Sequence, residues 1–163
     1  MNFSVLISIY FKEKPDFFNR AMLSIYDEQN VKPNEIVLIE DGKLTDELYE
    51  TILKWRKKLP KVLKVVKLEK NVGLGDALAI GLKECKNELV ARMDTDDIAL
   101  SDRFKKQIKI FKEFPHIDVC SGWISEFEND ERYTYSYRKL PQNHDDILKF
   151  AKNRSPINDV AVM

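Results

Sequence analysis

The chain has 163 residues, 44% of them hydrophobic and 33% charged, a profile that excludes a disordered or fibrous protein and fits one soluble domain with a real core. Its 27 Lys and Arg balance 27 Asp and Glu, so no overall positive field argues for nucleic acid as a partner. No apolar run reaches the roughly 18–20 residues that span a bilayer, and "MNFSVLISIYFKEK" lacks the basic start and small-residue cleavage site of a signal peptide.

Taken in chain order, the elements alternate. "FSVLISIY" is a short apolar, β-branched run that predicts a buried strand. Asp16 can then cap a helix in which Phe18, Ala21, Met22 and Ile25 share one face. "EIVLIE" predicts a second buried strand, stopped by Asp41-Gly42. Thr45 or Asp46 caps the next helix, with Leu48, Ile52, Trp55 and Leu59 inward and Pro60 just beyond its end. "VLKVVKL" is the third strand. "NVGLG" turns into a helix with Leu78, Gly81, Leu82 and Cys85 on one side, "ELVARM" is the fourth strand, and a helix from Ser101 to about Phe114 turns Phe104, Ile108 and Phe111 inward.

Strands alternating with helices predict an α/β fold: a mostly parallel, Rossmann-like sheet with helices on both faces. From Asp118 the pattern changes. "DVCSGWISEFE" and "RYTYSYRKL" predict two strands joined across Asn129-Asp130, added antiparallel at the sheet edge, then a short helix from Asp145 to Ala151. "SPINDVAVM" is an apolar, strand-like run that ends the chain, as expected of a single domain, residues 1–163, forming the N-terminal part of a longer protein. Cys85 and Cys120, with no CxxC and no histidine pair nearby, read as buried reduced thiols of a cytosolic protein. His116 and His144 are isolated and read as structural or exposed.

Open parallel sheets bind ligands outside the carboxyl ends of their strands. Three polar clusters fall there: Glu40-Asp41-Gly42, Asn71-Val72-Gly73-Leu74-Gly75 and Asp94-Thr95-Asp96-Asp97. A turn with a helix cap needs only one aspartate, yet the last cluster holds three in four positions. Two unit charges about 4 Å apart repel by on the order of 4 kcal/mol at an effective dielectric of 20. A divalent cation turns that repulsion into attraction, and an oxygen-rich site suits Mg²⁺ or Mn²⁺ with positions left for phosphates. Arg92, on the same strand parity as Asp94, offsets part of the charge.

Asp41 reads equally as a turn residue or as an acceptor for a base or ribose. The glycines of "NVGLGD" allow close backbone approach to an anion, but Leu78 stands where a dinucleotide fingerprint needs its third glycine. Alternating Tyr133, Tyr135 and Tyr137 could stack on a sugar, although strand packing is the simpler expectation. The lysines of "KWRKKLPK" read most simply as a solvated helix face, with weak attraction to an anionic membrane surface as the alternative.

Assembled in order, these segments resemble the nucleotide-binding half of a family 2 glycosyltransferase with the GT-A fold. "SVLISIYFKEKPDFFNRAMLSI" matches the family's first strand and helix and "EIVLIEDGKLTDEL" its second strand with an acidic end. "NVGLGDALAIGL" is similar to the Asn-x-Gly-x-x-x-Ala segment, "ARMDTDD" to the DXD motif, and "LSDRFKKQ" to the arginine and glutamine that commonly follow, here Arg103 and Gln107. The resemblance implies that a nucleotide-diphospho-sugar, a UDP-sugar first, is held by Ile9, Tyr10, Glu13, Asp41, Asn71, Gly73, Asp94 and Thr95. It implies Mg²⁺ or Mn²⁺ on Asp96, assisted by Asp94, and inverting transfer to a saccharide or lipid-linked saccharide acceptor in surface polysaccharide synthesis. The setting it implies is the cytoplasm, at the inner face of the membrane, with residues 118–163 beginning the acceptor-side region.

Phe11 departs from the family's asparagine after the tyrosine. Asp159 stands where "SPINDVAVM" would carry the histidine of Asn-Pro-Ile-x-His, and the general base is expected beyond Met163. Two other readings compete: a nucleotide-binding fragment without turnover, and a metal-dependent phosphatase or nucleotidyltransferase. Against the latter pair, a DxDxT phosphatase carries its aspartates after the first strand, and a pyrophosphorylase needs glycines in the loop near the start.

Overall fold

Apolar runs without a polar side must be covered on both faces. In the computed structural model, which describes residues 1–128 and 131–163, four such runs form one parallel sheet. β1 (Phe3–Ile9) lies between β2 (Glu35–Glu40) and β4 (Leu89–Met93), and β3 (Leu63–Lys67) adds outside β2, giving the order β3-β2-β1-β4. The chain therefore steps outward from β1 to β3, then crosses back to the other side of β1. That reversal leaves a crevice between β1 and β4 at the carboxyl rim.

Side chains alternate across the sheet. Phe3, Val5, Ile7 and Ile9 of β1, with Ile36 and Leu38 of β2, face the larger core under α1 (Pro15–Met22), α2 (Asp46–Lys58) and α4 (Arg103–Glu113). Leu6, Val37 and Ile39 face a smaller core under α3 (Leu74–Glu84). Gly81 is the reason α3 sits so close: a Cβ there would lie 2.4 Å from Leu6 Cδ1 and 2.8 Å from Ile39 Cγ1.

The sequence expectations meet some corrections. Asp16 does not cap α1; Lys14 holds the cap position with Pro15 next, the first-turn place where a missing N–H costs nothing. Thr45 caps α2 by accepting from the Leu48 N–H at 3.4 Å. Leu82 points to solvent at 56% exposure because Ala77 and Gly81 form the contact stripe of α3. Ile25 is buried as expected, but in a π-helical turn, Leu23–Asp27, that extends α1.

The largest correction concerns residues 118–163. β5 (Ile124–Phe127) and β6 (Thr134–Arg138) pair antiparallel as a separate two-stranded sheet and do not join the edge of the parallel one. The expected turn at Asn129-Asp130 lies outside the described residues. α5 (His144–Ala151) follows, and the "strand-like" end is a 3₁₀ turn, Asp159–Ala161, before an extended step. That step is what meets the sheet: Arg92 N–H donates to Val162 C=O at 3.0 Å, and Met163 exchanges two backbone bonds with Cys120.

Tyr133, Tyr135 and Tyr137 are 71%, 70% and 67% exposed, against the expectation that they pack. Both cysteines are free and only partly buried, and burial pushes the Cys85 thiol up to about 11. Among the described residues no helix is long and apolar enough to cross a membrane.

Candidate functional site

Loops leaving the carboxyl ends of β1, β2, β3 and β4 converge on a cavity of about 340 Å³. Its lining includes Tyr10 and Glu13 after β1, Asp41 after β2, Asn71 and Gly73 after β3, and Asp94, Thr95 and Asp96 after β4, together with Ser8 and Leu74. Of the residues expected to hold the donor or the metal, only Ile9 is not in that lining. Its side chain is fully buried in the larger core, and its part at the rim is a carbonyl that accepts from the Asp41 N–H at 2.8 Å.

Asp41 is 2% exposed, and its carboxylate is engaged by backbone. Oδ1 accepts from Val72 N–H at 2.7 Å and Oδ2 from Gly73 N–H at 3.1 Å, while Asn71 Nδ2 donates to the Asp41 carbonyl at 3.2 Å. A carboxylate taking two backbone donors is a strong anchor for a loop with no regular pairing. Two glycines permit this fold of the chain. Gly42 (φ 82°) lies so near the loop that a Cβ would be 2.6 Å from Asn71 N, and Gly73 (φ 89°) turns the chain into α3. No side chain caps α3, and its first residue, Leu74, lines the cavity.

On the opposite wall the aspartates divide. Arg92 Nη2 donates to both oxygens of Asp94, at 2.8 and 3.1 Å. Asp96 is exposed, with no ion pair among the described residues. Asp97 is partly buried, and burial, reinforced by repulsion from Asp96 and Asp94, pushes its carboxyl up to about 6. Burial also raises Asp94, with Arg92 opposing and Asp96 and Asp159 reinforcing the rise. Glu13 is raised by burial, with the Thr95 hydroxyl working the other way and Asp96 and Asp94 adding to it.

Among the described residues no three carboxylate, histidine or cysteine side chains form a ready-made metal cage. Mg²⁺ and Mn²⁺ do not require one: they bind through one or two carboxylates and take phosphate and water for the rest. The exposed Asp96 beside the arginine-bound Asp94 fits that pattern.

Sequence reasoning left two residues without a role. Arg103 Nη2 donates to the Arg92 carbonyl at 2.7 Å and to the Val162 carbonyl at 3.3 Å, and its Nε donates to Gln107 Oε1 at 3.2 Å. Gln107 Nε2 donates to the Ala161 carbonyl at 2.8 Å. The pair clamps the end of the chain against β4, just behind the aspartates. Their i, i+4 spacing after the acidic run was the available signal.

Known proteins match this arrangement. The family model for glycosyl transferase family 2 matches residues 4–161. The chain is 41% identical over 161 residues to the amylovoran biosynthesis glycosyltransferase AmsE of Erwinia amylovora, covering 99% of this chain and 59% of that one. It is 42% identical over 160 residues to the UDP-Gal:α-D-GlcNAc-diphosphoundecaprenol β-1,3-galactosyltransferase of Escherichia coli, covering 98% and 57%. The chain thus spans less than two thirds of the length of either relative. Among solved structures, S. aureus TarS 1–349 in complex with UDP-GlcNAc superposes with a TM-score of 0.61 at 30% identity, over 73% of this chain and 33% of that one.

Proposed function

Because the chain belongs to glycosyl transferase family 2, we propose that it is the nucleotide-sugar-binding part of an enzyme that moves a sugar from a UDP-linked donor to a saccharide hydroxyl, free or lipid-linked, during surface polysaccharide synthesis. The observation that carries this reading is the convergence of Tyr10, Glu13, Asp41, Asn71, Gly73, Asp94, Thr95 and Asp96 on one cavity at the switch point of the sheet.

The residues divide the donor between them. Tyr10 borders the base, and the loop from Asn71 to Gly73, pinned by Asp41, brings backbone close to the nucleoside. Asp94, oriented by Arg92, and Thr95 face the ribose and diphosphate. Asp96, assisted by Asp94, would hold a divalent cation, which when bound would supply positive charge to neutralise the departing diphosphate. Transfer is a single in-line displacement with inversion, the acceptor proton leaving to a carboxylate base that we assign to no residue of this chain. TarS, solved with UDP-GlcNAc, and the E. coli relative, named for UDP-Gal, support a UDP donor.

The test is calorimetry of UDP binding with and without Mn²⁺. Mn²⁺ is expected to tighten UDP by about tenfold or more, equivalent to ~1.4 kcal/mol, and Asp96→Ala to abolish that gain. Equal, metal-independent affinity in both proteins rejects the assignment.

A further inference from the structure

The acidic run lies in a stretch without strand or helix, residues 94–102, between β4 and α4. Such a loop keeps one geometry only where other elements grip it. Its near end is fixed by β4 and by the Arg92–Asp94 pair. Its far end is gripped from the end of α1, by two side chains that the donor site does not use. The Ala99 N–H donates to the Ser24 hydroxyl at 3.0 Å, and Gln29 Nε2 donates to the Leu100 carbonyl at 2.9 Å. The Asn30 N–H adds a bond to the Ser101 carbonyl at 2.8 Å.

The π-helical turn Leu23–Asp27 makes this grip possible. In an α-helix the Glu28 N–H would bond the Ser24 carbonyl. Here it reaches back to the Leu23 carbonyl at 3.1 Å, and the Gln29 N–H goes to that of Tyr26. The Ser24 carbonyl is thereby released to Gln29 Nε2, at 2.7 Å. The Gln29 amide thus directs one hydrogen to the helix and the other to the loop. Ser24 is divided in the same way, its hydroxyl donating to the Ala21 carbonyl at 2.7 Å while accepting from Ala99. Ser24 is fully buried and Gln29 is 5% exposed, yet Gln29 Oε1 has no partner among the described residues. A buried amide with an idle oxygen costs stability, so what Gln29 contributes is placement.

We propose that Ser24 and Gln29 are positioning residues for the cation: from the π turn they hold the exit of the acidic loop, so that Asp96, three residues before Ala99, is presented to the cavity. The proposal rests on the metal reading above. Neither side chain lines the cavity, so both act through the loop. The two ends of α1 then brace the loop together, Glu13 ahead of the helix meeting Thr95 and Ser24 at its close meeting Ala99. Repulsion among Asp94, Asp96 and Asp97 drives such a loop to splay, and a fixed exit opposes that.

The test measures UDP affinity by calorimetry without metal and across a Mn²⁺ series, in the unsubstituted protein, Ser24→Ala and Gln29→Met. Both substitutions nearly keep the side-chain volume and remove the bond to the loop. In each variant the Mn²⁺ midpoint should rise about fivefold or more, the scale of one hydrogen bond. Metal-free UDP affinity should stay unchanged, and saturating Mn²⁺ should restore the full gain. A merely structural role would weaken UDP equally with and without Mn²⁺, which overturns the proposal, as does an unmoved Mn²⁺ midpoint in either folded variant. Should Gln29→Met fail to fold, Ser24→Ala decides alone, because alanine favours the helix. No Mn²⁺ gain in the unsubstituted protein overturns the metal reading itself, and this proposal with it.

Discussion

In residues 3–114 the sheet and its helices bury Phe3, Ile7, Phe18, Met22, Leu38, Leu48, Met93 and Phe104 almost completely. In residues 115–163, among the described residues, only Asn158, Ala161 and Met163 are buried, and α5 buries none. The second region reaches the larger core only through Met163, Ile117 and Cys120 among the described residues, and is otherwise tied on by polar contacts: Gln107 to the Ala161 carbonyl, Arg103 and the Arg92 amide to the Val162 carbonyl, and Arg20 in a forked pair with Glu131. Asn158 adds an internal tie by donating to the Gly122 carbonyl at 2.8 Å. Hydrophobic burial supplies stability, and directional hydrogen bonds supply placement. The first region is therefore expected to be the stable frame and the second to open at lower free energy.

The comparison breaks most visibly at Phe104, which is fully buried with its ring centroid 4.9 Å from that of Phe3. Phe104→Ala is expected to cost about 3–5 kcal/mol in urea unfolding. The buried Trp55 should report that loss, while the exposed Trp123 should change at lower urea than Trp55 even in the unmodified protein. Coincident transitions at both tryptophans would show one cooperative unit instead. A smaller effect belongs to Gln107→Ala, which strips a buried carbonyl of its donor at a cost of about 1 kcal/mol. Its signature should be faster hydrogen exchange at the Cys120 and Met163 amides, with the β1 amides unmoved; uniform acceleration would mean that the clamp supports the frame itself. Smallest of all, Tyr135→Ser should leave the thermal midpoint within the equivalent of about 0.5 kcal/mol, and a larger drop would reveal packing on the tyrosine face.

The first region was legible because its patterns are local. Wholly apolar runs such as "EIVLIE" and the stripe Leu48, Ile52, Trp55 and Leu59 state their own periodicity, and strand ends then bring Asp41, Asn71 and Asp94 to one rim without further information. What could not be read depends on partners far along the chain. Asp41 looked like a turn residue or a ligand contact, yet its nearest partners are amides about thirty positions away, at Val72 and Gly73. The tyrosines show which side of β6 they share, but period two does not say which side is covered; Thr134 and Ser136 take the more protected face. The final apolar run looked like a strand because a 3₁₀ turn of Asp159, Val160 and Ala161 has no distinct hydrophobic signature.

The clamp on Val162 also bears on solubility. A parallel sheet of four strands has two outer margins, each a row of amides and carbonyls on which a foreign strand could template. On the β3 side Lys64 and Lys67 stand guard, paired to Glu84 and Glu40. On the β4 side the Val162 carbonyl already occupies the Arg92 amide. Arg103 bonds that carbonyl and Gln107 the one before it, so a chain that loses both is expected to scatter light on heating before its core melts, and a solution that stays clear up to the melting point would show that the β4 margin needs no cover.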